Sequence, residues 1–309
     1  MSNFSEQKIT REVVEAFQGT PDPRLKEIMG ALVRHLHDFV REVELTPEEW
    51  QFAIDYLTRT GQPMADNRQE FILLSDTLGV SVLVDAINHR IPAGATESTV
   101  LGPFYVPAPE LPLGFDLGHG LKGEPLFVEG TVCSASGTPL ANAAVDVWQS
   151  DSEGFYDVQL ADLPDARLRA RFHTDANGRY HFWSIMPNSY PIPLDGTVGE
   201  MLRATGRPAH RPAHVHFMIA ADGHETLITH IFVAGDPHLD SDPVFSTKDS
   251  LTREFSRETP GLAPDGTRVD RPWRKLIYNF GLKPMAARKG SEHQRRPRRL
   301  HCLIRRARR

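Results

Sequence analysis

The stretch Arg211-Pro212-Ala213-His214-Val215-His216-Phe217 decides how the rest of this sequence is interpreted. Its apolar residues alternate with His214 and His216, which is the period-two pattern of a β-strand. Successive side chains of a strand point to opposite faces, so both histidines lie on the same face. Two imidazoles side by side on a rigid strand form half of a metal site. The simpler interpretation, two polar residues on a solvated face, stays open until further ligands are found.

The composition is that of a globular protein with a turn-rich β part. The chain has 309 residues, enough for two domains, and contains 23 glycines and 24 prolines. Its two cysteines, Cys133 and Cys302, are far apart and predict neither a disulfide framework nor a cysteine metal site. Because the sequence shows no secretory signal and no apolar run of membrane-spanning length, it predicts a cytoplasmic protein.

Charge is distributed unevenly along the chain. The formal net charge is −5, but residues 288–309 contain ten Lys/Arg and one acidic residue. Excluding that +9 leaves about −14 for the rest, and an acidic body argues against a nucleic-acid-binding protein. Residues 285–309 are therefore interpreted as a disordered basic tail. The alternative is a basic arm that binds nucleic acid or anionic lipid.

Helical patterns cover the chain from about Ser5 to His89. Apolar residues recur at i+3/i+4 spacing from Leu25 to Val43 and form one stripe on a helix. Residues 46–49, Thr-Pro-Glu-Glu, predict the start of another helix with a capping box, and a further helix is predicted from residue 66 to residue 92. The stripe could form a bundle, a dimer seam or a ligand groove. Packing into a core is the most common of these uses.

Short strands separated by turn signals follow from Pro125 onward. The patterns predict strands at residues 125–132, 143–149, 179–185, 213–220, 226–233 and 271–282. Such a series indicates a sandwich or barrel. The predicted fold class is therefore α+β, with a helical N-terminal domain over residues 1–95 and an antiparallel β-sandwich over residues 96–284.

Two tyrosines in loops are candidates to complete the metal site. Tyr156 lies in residues 151–157, just beyond a strand, and Tyr190 lies in residues 186–193. Loops that leave strand ends are where a sandwich places functional groups. Each tyrosine alone is more often an amphipathic packing residue.

Taken together, these motifs resemble the intradiol ring-cleaving dioxygenases. The resemblance rests on residues 154–157 (Gly-Phe-Tyr-Asp), 190–193 (Tyr-Pro-Ile-Pro) and 211–217, and extends from about Phe4 to Leu282. It implies a catalytic β-sandwich with one Fe(III) per subunit, held by Tyr156, Tyr190, His214 and His216. Anionic phenolate oxygens suit a hard trivalent ion, whereas a zinc hydrolase would usually require a third histidine or a carboxylate.

The resemblance also implies the reaction. An aromatic diol binds the iron through both oxygens, reacts with O2, and opens between its two hydroxyl-bearing carbons. Tyr190 is expected to leave the iron and accept a proton, and Arg211 to stabilise negative charge on the ring. His230 departs from the pattern, because catechol-cleaving relatives often carry glutamine there. Whether its imidazole replaces the amide is left open.

The loops around the pocket look most like the branch that cleaves hydroxyquinol (1,2,4-trihydroxybenzene) to 3-hydroxy-cis,cis-muconate, the enol form of maleylacetate. Catechol, giving cis,cis-muconate, is the alternative substrate. Asp76 could accept a hydrogen bond from the third hydroxyl or could be an ordinary polar helix residue. The positions that match the pocket of that branch are Leu73, Asp76, Val100, Leu101, Gly102, Pro103, Phe104, Ile192, Pro193 and Arg211.

The same resemblance gives the helical domain a role in assembly. It implies a homodimer through this domain, with a phospholipid bound between the subunits. Two hypotheses from other classes remain: a non-enzymatic β-sandwich binding module with structural histidines, and a zinc hydrolase that uses His214 and His216. Colour separates them, because tyrosinate bound to Fe(III) absorbs visible light.

Overall fold

The computed structural model describes residues 5–62, 69–160 and 166–285. Its helices are Glu6–Ala16 (α1), Pro23–Glu42 (α2), Pro47–Gly61 (α3), Glu70–Thr77 (α4), Val80–Asn88 (α5) and Thr197–Ala204 (α6). Its strands are Pro125–Ser134 (β1), Ala144–Gln149 (β2), Arg169–His173 (β3), Arg179–Ile185 (β4), Tyr190–Pro191 (β5), His210–Arg211 (β6), His214–Ala220 (β7), Leu227–Val233 (β8), Thr252–Arg253 (β9), Ser256–Glu258 (β10), Gly261–Leu262 (β11), Arg268–Val269 (β12), Trp273–Ile277 (β13) and Phe280–Leu282 (β14). The predicted α+β class is confirmed.

The chain forms two compact units. The first, here called the helical unit, comprises Met1–Thr77 and Pro193–Ala209, and the second, the β unit, comprises Leu78–Ile192 and His210–Arg309. The predicted domain boundary at residue 95 stays a prediction. Apart from Met285, the predicted basic tail lies outside the described residues. None of the helices in the described ranges combines the length and apolarity that a bilayer crossing requires.

The predicted capping box starts α3. Thr46 Oγ1 accepts a hydrogen bond from the backbone N–H of Glu49 at 3.2 Å, and Glu49 Oε2 accepts one from the N–H of Thr46 at 2.9 Å. The single helix predicted from residue 66 to residue 92 is wrong, because α4 and α5 are separate helices. Gly79 lies between them with φ of 72°, a left-handed conformation that ends a helix. The predicted start at Asp66 lies outside the described residues.

The apolar stripe of α2 is not buried by the part of the chain that the structure describes. Only Gly30 and Val33 of α2 are buried. The large side chains of the stripe are 43 to 52 % exposed, and they are Leu25, Ile28, Leu32, Leu36, Phe39, Val40 and Val43. Packing into a core of the same chain is therefore the wrong interpretation of this stripe.

Two five-stranded sheets form the β unit. One has the order β10-β13-β1-β14, with β4 also paired to β1, and the other has the order β3-β2-β7-β8-β9. Residues of both sheets, among them Leu126 and Phe182 of the first and Val145 and Phe217 of the second, share one buried core. The unit is therefore a sandwich. Its sheets are mixed rather than antiparallel throughout, because β1 runs parallel to β13 and β14, and β8 runs parallel to β9.

The strand predicted at residues 271–282 is divided into β13 and β14. β13 pairs with the first half of β1, and β14 pairs with the second half. Between them, Asn279 Oδ1 accepts the backbone N–H of Thr131 at 3.0 Å, so a side chain replaces a ladder hydrogen bond there. Gly130 is required beside this break, because a Cβ on it would lie 1.7 Å from the carbonyl oxygen of Tyr278.

Candidate metal centre

Both histidines of residues 211–217 are buried, and both lie on strand β7. This strand lies inside its sheet, paired with β2 on one side and β8 on the other. Val215 and Phe217 face the core, whereas His214 and His216 point to the opposite face, and both histidines are 1 % exposed. The interpretation of two polar residues on a solvated face is therefore wrong.

The two candidate tyrosines come from loops at one end of the sandwich. Tyr156 follows β2 and its loop, and its backbone N–H donates to Gln159 Oε1 at 2.8 Å. Tyr190 begins β5, where it pairs with Arg211 of β6. Gly154, with φ of 89°, lets the two loops meet, because a Cβ there would lie 2.9 Å from the Cβ of Tyr190. Both tyrosines are buried.

The structure brings the four predicted ligands into one cluster. Tyr156 Oη lies 3.2 Å from Tyr190 Oη and 2.8 Å from His216 Nε2, and His216 Nε2 lies 3.1 Å from His214 Nε2. Bonds of about 2.0–2.1 Å to one ion place tetrahedral ligands about 3.3 Å apart. The spacing of two phenol oxygens and two imidazole nitrogens therefore fits a single metal ion.

The tautomer of His214 aims a lone pair into this cluster. Its Nδ1 lies 2.6 Å from the carbonyl oxygen of Pro212, which can only accept a hydrogen bond, so Nδ1 carries the proton. Burial, followed by the charge of Arg211, lowers the pKa of His214 to about 3, so the ring is neutral at pH 7. A neutral imidazole whose second nitrogen donates to a carbonyl is the usual form of a metal-binding histidine.

Burial also shifts the pKa values of Tyr156 and His216. Burial, together with the neighbouring Tyr190 phenol, raises the pKa of Tyr156 well above its ordinary value. Burial, followed by the nearby imidazoles of His230 and His214, lowers the pKa of His216 well below its ordinary value. A phenolate at Tyr156 therefore requires a positive charge inside the cluster, and a bound cation would supply it.

Arg211 is buried beside the same cluster. Its Nη1 lies 3.5 Å from Tyr190 Oη and 3.4 Å from His214 Nε2. On its other side, Nε donates to Asp242 Oδ1 at 3.1 Å. Burial by itself would lower the pKa of Arg211, but Asp242 and the two phenols raise it above its ordinary value. The guanidinium is a fixed positive charge at the edge of the site.

His230 lies opposite His216 on β8 and faces the same cluster. It is fully buried, and its ring centroid is 4.2 Å from that of His216 and 4.8 Å from that of His214. The ligand atoms of these three histidines all lie within 4.8 Å of one another, so they too could hold a metal. The four-atom cluster with the tyrosines is tighter, at 2.8 to 3.2 Å between neighbours.

Several of the predicted pocket residues lie at this cluster. Phe104 stacks on Tyr156 with ring centroids 4.5 Å apart, and Gly102 lies so close that a Cβ on it would be 3.6 Å from His216 Cε1. Val100 and Ile192 are buried in the same unit, whereas Leu101 and Pro103 are exposed. The remaining predicted pocket residues, Leu73, Asp76 and Pro193, belong to the helical unit, where Leu73 and Asp76 are buried on α4.

Sequence reasoning missed several buried residues that contact the cluster or the loops that carry it. Trp148 stacks on His216 with centroids 4.6 Å apart, and the two residues are paired across β2 and β7. Arg169 forms a buried ion pair with Asp157, the residue after Tyr156. The alternation of β2 could have indicated Trp148, because it places Asp146 and Trp148 on one face. No local pattern marks Arg169 or Asp242 as parts of the site.

A β-sandwich that gathers two phenol oxygens, two imidazole nitrogens and a buried arginine has the side chains of a metal-dependent enzyme. Residues 103–284 match the family described as dioxygenase, and residues 22–96 match the family described as catechol dioxygenase N terminus. The chain therefore belongs to the intradiol ring-cleaving dioxygenases.

Individual relatives support this assignment. The hydroxyquinol 1,2-dioxygenase of Rhodococcus opacus is 51 % identical over 285 residues, which are 90 % of this chain and 94 % of that protein. The catechol 1,2-dioxygenase of Candida albicans is 39 % identical, over 89 % of this chain and 92 % of that protein. The solved hydroxyquinol 1,2-dioxygenase from Pseudomonas putida DLL-E4 is similar with a TM-score of 0.85 and 46 % identity, covering 90 % of this chain and 98 % of that one.

Proposed function

We propose that this chain is an Fe(III)-dependent dioxygenase that cleaves hydroxyquinol with O2 to 3-hydroxy-cis,cis-muconate in the degradation of aromatic compounds. The observation that carries the proposal is the cluster of two phenol oxygens and two imidazole nitrogens. The choice of hydroxyquinol over catechol rests on relatives, because identity is 51 % to a hydroxyquinol 1,2-dioxygenase and 39 % to a catechol 1,2-dioxygenase.

Tyr156, Tyr190, His214 and His216 would hold one iron per subunit. Two phenolates would offset two of the three charges of a ferric ion, and such hard oxygen donors favour it over softer divalent metals. The chemistry that bound Fe(III) supplies is withdrawal of electron density from an aromatic diol, which makes a ring carbon reactive toward O2.

The side chains of the site would handle the protons and the charge. An aromatic diol that binds through both oxygens must release two protons, of which the phenolate oxygen of Tyr190 would accept one and a hydroxide ion the other. Arg211 would stabilise negative charge on the ring, and removing one such fixed donor typically costs about 3 kcal/mol of transition-state stabilisation. Because the four ligand residues are at most 4 % exposed, bulk water is kept from them.

Substrate binding is assigned residue by residue from the family resemblance. Within the β unit we assign Val100, Leu101, Gly102, Pro103, Phe104 and Ile192 to it, as the family resemblance implies. The resemblance also assigns Leu73, Asp76 and Pro193 to substrate binding, and Asp76 would accept a hydrogen bond from the third hydroxyl of hydroxyquinol. This bond would favour hydroxyquinol over catechol.

The stripe on α2 would be covered by a second copy of the chain. Its seven large apolar side chains, all more than 40 % exposed, form a surface of the kind that marks an interaction site. The proposed assembly is a homodimer with a phospholipid at this interface. The chain contains only two cysteines, which fits the proposed cytoplasmic location.

Oxygen uptake with hydroxyquinol and catechol in parallel, with the products identified, tests the proposed function. We expect iron-loaded protein to be wine-red, to consume one O2 per hydroxyquinol, and to have a lower kcat/KM for catechol. A folded protein that binds no iron and consumes no O2 would contradict the proposal.

The same assay on Asp76→Ala tests the specificity role. We expect the kcat/KM for hydroxyquinol to fall more than that for catechol, whereas equal losses reject the role of Asp76. Asp55→Ala is the matched control, because Asp55 is an exposed aspartate of α3. It should leave both values unchanged.

A further inference from the structure

The contacts of Arg211 with the metal cluster and with the neighbouring His230 are long. Its Nη1 lies 3.5 Å from Tyr190 Oη and 3.4 Å from His214 Nε2, and its Nη2 lies 3.5 Å from His230 Nδ1. Hydrogen bonds from a guanidinium are usually 2.7 to 3.2 Å long, so these contacts are too weak to fix the orientation of the group.

The guanidinium also makes shorter hydrogen bonds, to two residues outside the four proposed ligands. Ser246 Oγ accepts a hydrogen bond from Arg211 Nη2 at 2.6 Å, and Asp242 Oδ1 accepts one from Nε at 3.1 Å. Asp242 is 5 % exposed and Ser246 is fully buried. Both contacts are shorter than those of Arg211 with Tyr190, His214 and His230.

Asp242 and Ser246 are also hydrogen-bonded to each other. Both the hydroxyl and the backbone N–H of Ser246 donate to Asp242 Oδ2, at 2.7 and 3.1 Å. Burial by itself would raise the pKa of Asp242, but the charge of Arg211 and the bonds from Arg211 and Ser246 lower it below its ordinary value. The carboxylate is therefore charged at pH 7, and the loop from Asp242 to Ser246 presents a preformed acceptor to the guanidinium.

We propose that Asp242 and Ser246 are positioning residues of the metal centre, which hold the guanidinium of Arg211 with its Nη1 edge turned toward Tyr190 and His214. The proposal rests on the function proposed above, in which Arg211 stabilises charge on the ring. Neither residue is predicted to touch the metal or the substrate. Their effect passes through Arg211, whose displacement by about 1 Å can cost about 100-fold in rate.

Kinetics of Asp242→Asn and Ser246→Ala test this proposal in iron-loaded protein with hydroxyquinol. We expect kcat to fall about 100-fold for Asp242→Asn and about 10-fold for Ser246→Ala, with KM changed less than about 3-fold. Asp240→Asn is the matched control, because it makes the same change at an exposed position two residues before Asp242. It should leave kcat unchanged.

Two further readouts separate positioning from a general structural role. Iron content and the visible absorption band should match wild type in both variants, because the side chains of Asp242 and Ser246 form hydrogen bonds with Arg211 and with each other, and with none of the four proposed ligands. In an Arg211→Met background, Asp242→Asn should lower kcat by no more than about 2-fold, because the group it positions is absent. Effects that multiply in the double variant would overturn the proposal, as would loss of iron in proportion to activity.

The milder Ser246→Ala variant keeps the test decisive if Asp242→Asn does not fold. In that case, a wild-type kcat for Ser246→Ala overturns the proposal, and a reduced kcat with normal iron content supports it. Failure of the proposed function would be distinct, because wild-type protein itself would then not cleave hydroxyquinol.

Discussion

The two units of this chain differ in how far their apolar side chains are buried. In the β unit, the alternating residues of β1, β2, β4 and β7 meet in one core, and Val128, Val145 and Phe217 are completely buried. In the helical unit, the stripe of α2 remains about half exposed along its whole length. Both patterns are amphipathic in the sequence. Among the described residues, however, only the apolar faces of the β unit, and not the stripe of α2, are buried by the same chain.

The difference follows from how strands and helices satisfy the hydrogen bonds of their backbones. A strand must pair with neighbours, so its apolar face is enclosed as soon as two sheets of the same chain pack together. A helix satisfies its own backbone, so any apolar surface can cover its stripe, including that of a second copy. Periodicity therefore predicts that a face will be covered, and leaves open which molecule covers it.

The largest effect is expected from a substitution in the β core. Phe217→Ala removes a fully buried ring whose nearest aromatic neighbour is Phe280, at 4.9 Å between centroids. We expect the free energy of unfolding, measured with urea, to fall by about 3–5 kcal/mol, because the cavity cannot close fully. Phe52→Ala in the helical unit is the matched control, because that ring is 66 % exposed. Equal losses at both positions would contradict the contrast.

An intermediate effect is expected at the centre of the α2 stripe. If the proposed homodimer forms there, Leu36→Asp would bury a carboxylate without a partner and weaken association by about 2 kcal/mol, roughly 30-fold. Sedimentation velocity over a dilution series measures this change. Arg34→Asp introduces the same side chain two residues away, about 200° around the helix, and should leave association unchanged. Wild type that sediments as a single chain at every concentration would exclude the dimer.

The sequence predicted the proposed metal ligands better than the residues that hold the site in position. The period of two along β7 was enough to place His214 and His216 on one face. The meeting of Tyr156 and Tyr190 depended on the family resemblance, because they lie in separate loops with no shared period. Asp242 escaped prediction because its role depends on which charge the fold brings beside it, and Arg211 lies 31 residues away in the chain.

The errors in the fold have local physical causes. The single helix predicted beyond residue 66 ignored the ability of Gly79 to adopt a left-handed conformation, which separates α4 from α5. The last strand was predicted as continuous because Tyr278 and Asn279 do not interrupt an alternating pattern. There the Asn279 side chain takes the place of a backbone partner, a substitution that depends on the neighbouring strand β1.

The smallest effect is expected at the start of α3, where the stabilising contacts are local and exposed. Thr46→Ala removes the hydroxyl that accepts the N–H of Glu49, and should lower the free energy of unfolding by about 1 kcal/mol. Thr58→Ala in the same helix is the control. Its hydroxyl only donates to the carbonyl of Ile54, which the helix already uses, and alanine has the higher helix propensity. Urea unfolding followed by far-ultraviolet circular dichroism should therefore detect a loss for Thr46 alone. A loss as large as that for Phe217 would mean that this cap does more than satisfy exposed backbone groups, and the contrast between a packed core and a locally stabilised helix would fail.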